Sequence, residues 1–282
     1  MKIFETVVDL RAHLDTQPSN FSLGFVPTMG ALHEGHLALI RKSMEENEIS
    51  ICSIFVNPTQ FNNTGDLVNY PRTIDADISK LESIDCDILF LPSVEEVYPV
   101  YPPEIFSPDL GDMLLVMEGK HRPGHFNGVM TVVRRLFEIL RPHISYFGEK
   151  DFQQYRVIQE MNKMLGMGIL VTPLPTIRES NGLALSSRNL RLSPEEKELA
   201  LNIPITLFRL QDNVKRDPER MDEFLKEAAD FLNMISNGNL EYLEIVNEKN
   251  LQQEPKWRED VPLRLCVALQ IGKIRLIDNI KL

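Results

Sequence analysis

One stretch near the N-terminus constrains the fold more than any other, because Leu23 to His36 combines a strand, a tight turn and a helix start. It opens with the short apolar run of a buried parallel strand. Pro27 cannot donate to a ladder, so we expect the strand to stop there. Gly30 and Gly35 permit a tight turn, and apolar residues then recur at helical spacing. This unit predicts an α/β fold built on a parallel sheet.

Two histidines lie at the turn. His33 and His36 come at the start of the predicted helix, where free N–H groups and the helix dipole favour an anion. Together with the glycines they predict a site for nucleotide phosphates. Surface histidines without a role remain one alternative. A metal site is another, although no Cys or carboxylate stands at zinc-site spacing beside the pair. The His-x-Gly-His placement resembles the first signature of the nucleotidyltransferase superfamily, which includes class I aminoacyl-tRNA synthetases.

The totals exclude several classes of protein. The 282 residues allow one large or two ordinary domains, and the net charge of −11 argues against a broad nucleic-acid surface. No apolar run reaches the length of a membrane span, and the N-terminal residues lack the hydrophobic segment of a secretory signal. The three cysteines lie in apolar runs without paired spacing, which fits buried reduced thiols. We therefore expect a cytoplasmic protein with neither a nucleic-acid nor a membrane partner.

Further strands are predicted at residues 49–56, 87–92, 144–147 and 168–171, and helices separate them. This alternation indicates a Rossmann-like nucleotide-binding domain over residues 1–176. Ligands bind beyond the carboxyl ends of such strands, which is where Asn57 and Gln60 follow the second long strand. For Gln60 taken alone, a solvated loop amide is the favoured interpretation.

A polar loop is predicted over residues 62–72, and a helix from Thr73 to about Ile84. Asp75 and Asp77 fall in the first turn of that helix, where interaction with the helix dipole is a sufficient explanation. Magnesium binding is the alternative. Residues 93–112 are predicted to be an irregular excursion within the domain.

A second group of basic residues precedes a helix predicted from about residue 127 to 140; it comprises Lys120, His121, Arg122 and His125. It is either a solvated charged loop or a subsite for a carboxylate or phosphate. Gly148 and Lys150 stand at the start of the next helix, where a mobile cation could meet an anion. Neither a dinucleotide fingerprint nor a Walker loop is present.

Pro173 and Pro175 mark a break, and residues 177–282 are predicted to form a smaller α+β domain with two helical stretches and three strands. Its first residues, 177–189, form a polar stretch predicted to be flexible. Ser186, Ser187 and Arg188 combine two hydroxyls with a guanidinium, which suits anionic oxygens. An interdomain linker is an equal alternative for this stretch.

Six motifs in order carry a resemblance to a known family. Between Pro27 and Asn189 the chain contains Pro-Thr-Met-Gly-Ala-Leu-His-Glu-Gly-His, Phe-Val-Asn-Pro-Thr-Gln-Phe, Tyr-Pro-Arg-Thr, Arg-Pro-Gly-His-Phe, Phe-Gly-Glu-Lys-Asp-Phe-Gln-Gln and Leu-Ala-Leu-Ser-Ser-Arg-Asn. Together they closely resemble the pantoate–β-alanine ligase family. The resemblance implies ATP-dependent condensation of pantoate with β-alanine, through a pantoyl adenylate, to pantothenate, AMP and pyrophosphate. It also implies Mg²⁺, a homodimer, and closure of the 177–189 loop on the ATP site.

The resemblance also assigns roles to residues of this chain. His36, His33 and Lys150 would be catalytic, with His36 as the general acid. Gln60 would hold pantoate and face β-alanine, Gln154 would hold pantoate, and Asp77 matches a magnesium-associated position. The neighbouring Ala76 replaces an acidic residue found in some relatives, so the magnesium assignment is the weakest. The ATP contacts would be Met29, Gly30, Ala31, Leu32, His33, Glu34, Gly35, His36, Gly148, Glu149, Lys150, Asp151, Ile177, Leu185, Ser186, Ser187 and Arg188.

Beside phosphate, a charged and donating imidazole is expected. Two other functions stay open at this point. One is a small-molecule nucleotidyltransferase that stops at the adenylated product. The other is a nucleotide-binding module without catalysis, which the number of phosphate-directed residues disfavours.

Overall fold

The computed structural model describes residues 1–61 and 64–282. The chain divides into two compact units, each assembled from three segments. The first unit comprises Met1–Leu110, Arg122–Gly148 and Gln154–Pro175, and the second comprises Gly111–His121, Glu149–Gln153 and Thr176–Leu282. The predicted division into 1–176 and 177–282 assigned the two short segments 111–121 and 149–153 to the first domain instead.

A six-stranded parallel sheet organises the first unit, with strand order β1-β4-β3-β2-β5-β6. Its strands are β1 (Lys2–Phe4), β2 (Leu23–Thr28), β3 (Ile49–Ile54), β4 (Ile88–Phe90), β5 (Ile144–Gly148) and β6 (Leu170–Leu174). The helices are α1 (Val7–Leu14), α2 (Glu34–Glu46), α3 (Thr64–Val68), α4 (Ile74–Glu82), α5 (Val94–Val97), α6 (Met117–His121), α7 (His125–Leu140) and α8 (Phe152–Met164); α6 and the first two residues of α8 belong to the second unit. This confirms the predicted α/β class.

The prediction that Pro27 ends its strand is wrong. β2 continues through Thr28 and stays in register with β3, Pro27 lying opposite Ser53. In a parallel sheet, successive residues of a central strand direct their backbone N–H and C=O groups toward opposite neighbouring strands. The carbonyl of Thr28 accepts from the N–H of Phe55, which follows β3, so Thr28 faces β3. The backbone of Pro27 therefore faces β5, which pairs with β2 only at Gly24 and Phe25. The missing N–H costs no ladder hydrogen bond.

The second unit contains an antiparallel sheet with strand order β7-β8-β9. Its strands are β7 (Gly238–Asn247), β8 (Leu263–Ile271) and β9 (Ile274–Lys281), and its later helices are α9 (Pro194–Ala200), α10 (Asn202–Arg216) and α11 (Met221–Asn233). Leu207, Leu265 and Val267 are among its fully buried core residues. This matches the predicted α+β organisation, except that the single helix predicted from Pro194 to Leu210 is two.

Three short helices were not predicted: α3, α5 and α6. α3 lies within the polar loop predicted over 62–72, of which residues 62 and 63 lie outside the described part of the chain. Such helices have too few residues to develop a recognisable 3.6-residue period. No helix among the described residues is both long enough and apolar enough to cross a bilayer.

Candidate active site

The two histidines of the first unit cap the helix that follows them. His33 is the N-cap of α2, and its Nδ1 accepts from the N–H of Gly35 at 3.2 Å. The N–H of His33 in turn donates to Nδ1 of His36 at 3.3 Å, and the ring centroids are 4.1 Å apart. Because both Nδ1 atoms act as acceptors, each ring carries its proton on Nε2. Nε2 is thus the donor of each ring, and the charge of the imidazoles beside phosphate stays a prediction.

The turn before His33 is held from outside by α4. Gly30 and Ala31 both have left-handed backbone, with φ of 80° and 48°. Asp77 accepts from the N–H groups of Ala31 at 2.8 Å and of Leu32 at 2.7 Å, one on each carboxylate oxygen. One helical turn further, the ammonium of Lys80 donates to the carbonyl of Leu32 at 2.5 Å. Left-handed backbone at a non-glycine residue costs about 1–2 kcal/mol, and these bonds offset that cost.

Asp77 does not fit the role of a direct magnesium ligand. Its side chain is completely buried, with 0% exposure, and Thr73 adds a third hydrogen bond to its Oδ2. Both oxygens are therefore already committed to the protein. In the part of the chain that the structure describes, no group of three or more His, Cys, Asp or Glu side chains is arranged to hold a metal ion. The structure supports a positioning role for this carboxylate.

Gln60 follows the carboxyl end of β3, in a 3-10 helix over Pro58–Gln60. Its Oε1 accepts from the amide of Asn57 at 3.0 Å, and its carbonyl lies 2.9 Å from Nδ1 of His125. Asn57 is 1% exposed and accepts from the hydroxyl of Tyr98 at 3.0 Å. Burial raises the pKa of Tyr98 to about 12, so the phenol stays a donor. The Gln60 amide is thus presented by a fully hydrogen-bonded support.

Gly128 of α7 allows that support to form. A Cβ at Gly128 would lie 2.3 Å from the carbonyl oxygen of Thr59. Asn57 also donates to the carbonyl of Gly128 at 3.2 Å, which joins the helix to the turn. The helix backbone and the 3-10 helix carrying Gln60 therefore touch directly, and only glycine permits this distance.

The basic residues 120–125 are divided between the two units. His121 lies 3.7 Å from the carboxylate of Glu241, and its ring makes a tilted contact with Tyr242 at 5.6 Å between centroids, within the second unit. His125 belongs to the first unit and supports Gln60. Lys120 is exposed. The anion subsite, one of the two interpretations of the sequence, stays a prediction.

Of the two glutamines at the start of α8, Gln153 has a structural role. It is buried, accepts from the N–H of Glu118, and donates to the carbonyls of Met113 and Val116. It anchors the 111–121 segment of the second unit. Gln154 belongs to the first unit and is half-buried, so the expectation that it holds pantoate stays a prediction.

Lys150 lies in a 3-10 helix, Glu149–Asp151, of the second unit. Its side chain is 16% exposed and its Nζ is 3.8 Å from Asp151. The carbonyls of Glu149 and Lys150 both accept from the side-chain amide of Asn279 at 2.9 Å. The carboxylate of Glu149 accepts from Arg264, which is only 2% exposed. The segment is therefore fixed by side chains of the C-terminal sheet.

The stretch predicted to be flexible, 177–189, is a hydrogen-bonded turn of the second unit. Arg178 pairs with Ala184 as an isolated bridge, and Leu183 is buried in the core. Ser186 caps a 3-10 helix over Ser187–Arg191, its hydroxyl accepting from the N–H of Arg188 at 3.3 Å. The equal alternative was an interdomain linker, but the segment is assigned to the second unit and makes hydrogen bonds within it. Its closure on ATP stays a prediction.

The structure distributes the predicted site residues over both units, and their ligand contacts stay predictions. The first unit carries Met29, Gly30, Ala31, Leu32, His33, Glu34, Gly35, His36, Gln60, Asp77, Gly148 and Gln154. The second carries Glu149, Lys150, Asp151, Ile177, Leu185, Ser186, Ser187 and Arg188. Within each unit they cluster at turns that follow strands or start helices.

Sequence reasoning missed the residues that hold these turns. Tyr98 and Gly128 support Gln60, while Arg264, Asp278 and Asn279 support the segments of the second unit. Arg264, Asp278 and Asn279 are polar side chains at buried strand positions. Buried polar groups need partners, so polar residues within β8 and β9 were the available signal.

Comparison with known proteins identifies the family. The sequence profile of the pantoate-beta-alanine ligase family matches residues 2–281. Pantothenate synthetases of Bacteroides fragilis strain YCH46 and Porphyromonas gingivalis strain ATCC 33277 are 46% and 45% identical, each alignment spanning 100% of this chain and 99% of the relative. The crystal structure of pantothenate synthetase from Thermus thermophilus superposes with a TM-score of 0.92 at 39% identity, covering 100% of this chain and 99% of that one.

A second solved structure carries ligands. Pantoate-beta-alanine ligase from Francisella tularensis, complexed with beta-gamma ATP and beta-alanine, superposes with a TM-score of 0.81 at 35% identity, covering 100% of this chain and 97% of that one. Family profile, sequence relatives and solved structures agree over the whole length of the chain. The chain belongs to the pantoate–β-alanine ligase family.

Proposed function

We propose that this ligase condenses pantoate with β-alanine in two steps, each unit contributing groups of its own to the first. The carboxylate of pantoate attacks the α-phosphorus of ATP, and pyrophosphate leaves. The amine of β-alanine then attacks the carbonyl of pantoyl adenylate, forming the amide bond of pantothenate while AMP departs. The single observation that carries the proposal is the family match over residues 2–281, supported by the ATP and β-alanine named for the Francisella tularensis relative.

In the first unit, the histidine turn is assigned to phosphate. Two Nε2–H groups beside the start of a helix donate to anionic oxygens. Such donors stabilise the charge that develops on the leaving pyrophosphate more than the charge of bound ATP. Gln60, held by Asn57 and His125, is assigned to pantoate and β-alanine, and Gln154 to pantoate.

In the second unit, Lys150 and the segment Ser186–Arg188 are assigned to the phosphates. A pantoate carboxylate and ATP carry like charge, so attack requires neutralisation as well as alignment. Lys150 supplies a compact cation and Arg188 a planar donor fork. Alignment of two bound reactants contributes up to about 7–11 kcal/mol.

Mg²⁺ enters this proposal as part of the substrate MgATP, where it neutralises phosphate charge. We assign it no protein ligand, because Asp77 is committed to the turn. The three buried free thiols fit a reducing cytoplasm. The proposal also includes a homodimer, which is tested by measuring the molar mass by light scattering as the protein elutes from a size-exclusion column.

The reaction is tested by incubating the purified protein with ATP, pantoate and β-alanine and measuring pantothenate and AMP. We expect both products in equal amounts, and neither when pantoate is omitted. Pyrophosphate release without AMP or pantothenate would contradict the ligase and favour the adenylyl-transfer alternative, which the comparisons do not favour.

A further inference from the structure

One side-chain amide spans the peptide groups around Lys150. The Nδ2 of Asn279, on β9, donates one hydrogen to the carbonyl of Glu149 and the other to that of Lys150, both at 2.9 Å. A three-residue 3-10 helix has too few internal hydrogen bonds to fix its own orientation. Asn279 therefore determines where the Lys150 backbone lies relative to the C-terminal sheet of the same unit.

The orientation of this amide is itself fixed. Arg264 donates to Oδ1 of Asn279 at 2.6 Å, which leaves Nδ2 to face the two carbonyls. The same guanidinium contacts Glu149 at 3.3 Å and Glu248 at 2.8 Å, and stacks over the ring of Phe152 at 4.0 Å. Burying a charge with this many partners is costly and gives little net stability. The arrangement instead fixes the orientation of the Asn279 amide.

The preceding residue of β9 holds the other phosphate-directed segment of the second unit. Asp278 accepts two hydrogen bonds from Arg178, at 2.6 and 2.8 Å. Arg178 also donates to the carbonyl of Gly182 at 3.0 Å, which closes the turn before Ser186–Arg188. The 3-10 helices Glu149–Asp151 and Ser187–Arg191 both contact β9. Two consecutive residues thus hold both segments. The backbone N–H of Asn279 also donates to the carboxylate of Asp278 at 2.7 Å, which links the two side-chain networks.

We propose that Asp278 and Asn279 form a positioning dyad that sets Lys150 and the Ser186–Arg188 segment for adenylate formation. Neither side chain is assigned a contact with substrate. The dyad acts through the backbone of Lys150 and through Arg178. This inference rests on the proposed role of Lys150. A displacement of about 1 Å at a reacting group costs about 100-fold in rate, so loss of the dyad lowers kcat even when the fold persists.

The first test compares Asn279→Ala with Asn279→Asp in pantoate-dependent adenylate formation. The aspartate keeps an oxygen for Arg264 but has no hydrogen for the two carbonyls. We expect both variants to lose about tenfold or more in kcat, an effect in the range of small misplacements of a reacting group, with the KM for pantoate unchanged. A merely structural partner for Arg264 would be restored by aspartate, so wild-type kcat in Asn279→Asp overturns the proposal. Asn239→Ala, an exposed asparagine on β7 of the same sheet, is the matched control.

The second test asks whether the dyad acts through Lys150. In the Lys150→Ala background, Asn279→Ala should cause no further loss, because the group that it positions is already absent. An equal loss in both backgrounds overturns the dyad while leaving Lys150 catalytic. Wild-type activity of Lys150→Ala itself overturns the proposed role of Lys150, and the inference with it.

If the Asn279 variants fail to fold, Arg178→Lys tests the other arm. It keeps a positive charge beside Asp278 and loses the two-pronged contact and the bond to Gly182. We expect a lower kcat for adenylate formation and a severalfold higher KM for ATP, with the circular dichroism of the parent protein. An unchanged KM for ATP overturns the proposal.

Discussion

The two units hold their site residues by different means. In the first unit, His33 and His36 are fixed mainly by their own helix start, through hydrogen bonds spanning 2 and 3 positions of the chain. In the second unit, the Lys150 segment is fixed by Asn279, through hydrogen bonds spanning 130 and 129 positions. A local cap forms wherever its sequence forms a helix, whereas the second arrangement exists only after the C-terminal sheet has folded. The position of the histidines thus depends mainly on local sequence, whereas the position of Lys150 depends on the tertiary fold of the second unit.

The largest loss of activity is expected at His33, where the helix-capping acceptor can be kept while the Nε2–H donor is removed. Asn is a good N-cap residue, so His33→Asn keeps an acceptor for Gly35 but removes the Nε2–H donor. We expect adenylate formation to fall about 100- to 1,000-fold, the usual loss for one transition-state donor, while circular dichroism remains that of the parent. His33→Ala should lose activity similarly and also about 1 kcal/mol of stability.

His13→Asn is the matched control, because His13 lies in α1 and has no assigned role. Wild-type adenylate formation by His33→Asn would show that the imidazole only caps the helix.

The next effect concerns Asp77, a long-range support of the histidine turn. Asp77→Asn leaves one oxygen for two N–H groups and turns an amide N–H₂ toward one of them. We expect about 10- to 100-fold slower adenylate formation, as for small misplacements of reacting groups. The Mg²⁺ concentration for half-maximal rate should not change. Asp75→Asn, exposed in the same helical turn, is the control and should retain activity.

A strongly raised Mg²⁺ requirement in Asp77→Asn would instead make Asp77 a metal ligand. Asp77 would then not be a positioning residue comparable to Asp278 and Asn279 of the second unit.

A smaller effect is expected at Gly128, which brings α7 against the turn carrying Gln60. The added methyl of Gly128→Ala cannot fit beside Thr59, and overpacking of this kind costs about 1–3 kcal/mol. We expect a higher KM for pantoate with a smaller change in kcat, measured with ATP saturating. An unchanged KM for pantoate would separate Gln60 from pantoate binding.

The smallest effect is expected at the cysteines, which lie buried in both units. Burial raises the pKa of Cys86 to about 11, and raises those of Cys52 and Cys266. A raised pKa keeps the thiol protonated below that pH, and thiolate is the reactive form. At pH 8 we expect no reaction of the native protein with an aromatic disulfide, and reaction of all three thiols after unfolding. Rapid labelling of the native protein would contradict the buried positions.

Local signals carried most of what the sequence could predict. Apolar runs located the main strands, and the turn at Gly30 with the helix after His33 was recognised from glycine and helical spacing. Pro27 was misread because its neighbour across the sheet could not be known from the sequence. Asp77, Asn279 and Arg264 each have a partner between 45 and 130 positions away along the chain. No local pattern reports such pairings.

The most direct test of the account is pantoate-dependent exchange of labelled pyrophosphate into ATP, measured without β-alanine. This exchange reports adenylate formation alone. We expect exchange by the parent protein, and loss of exchange both in His33→Asn of the first unit and in Lys150→Ala of the second. Exchange that needs no pantoate, or that survives in either variant at the parent rate, would contradict it.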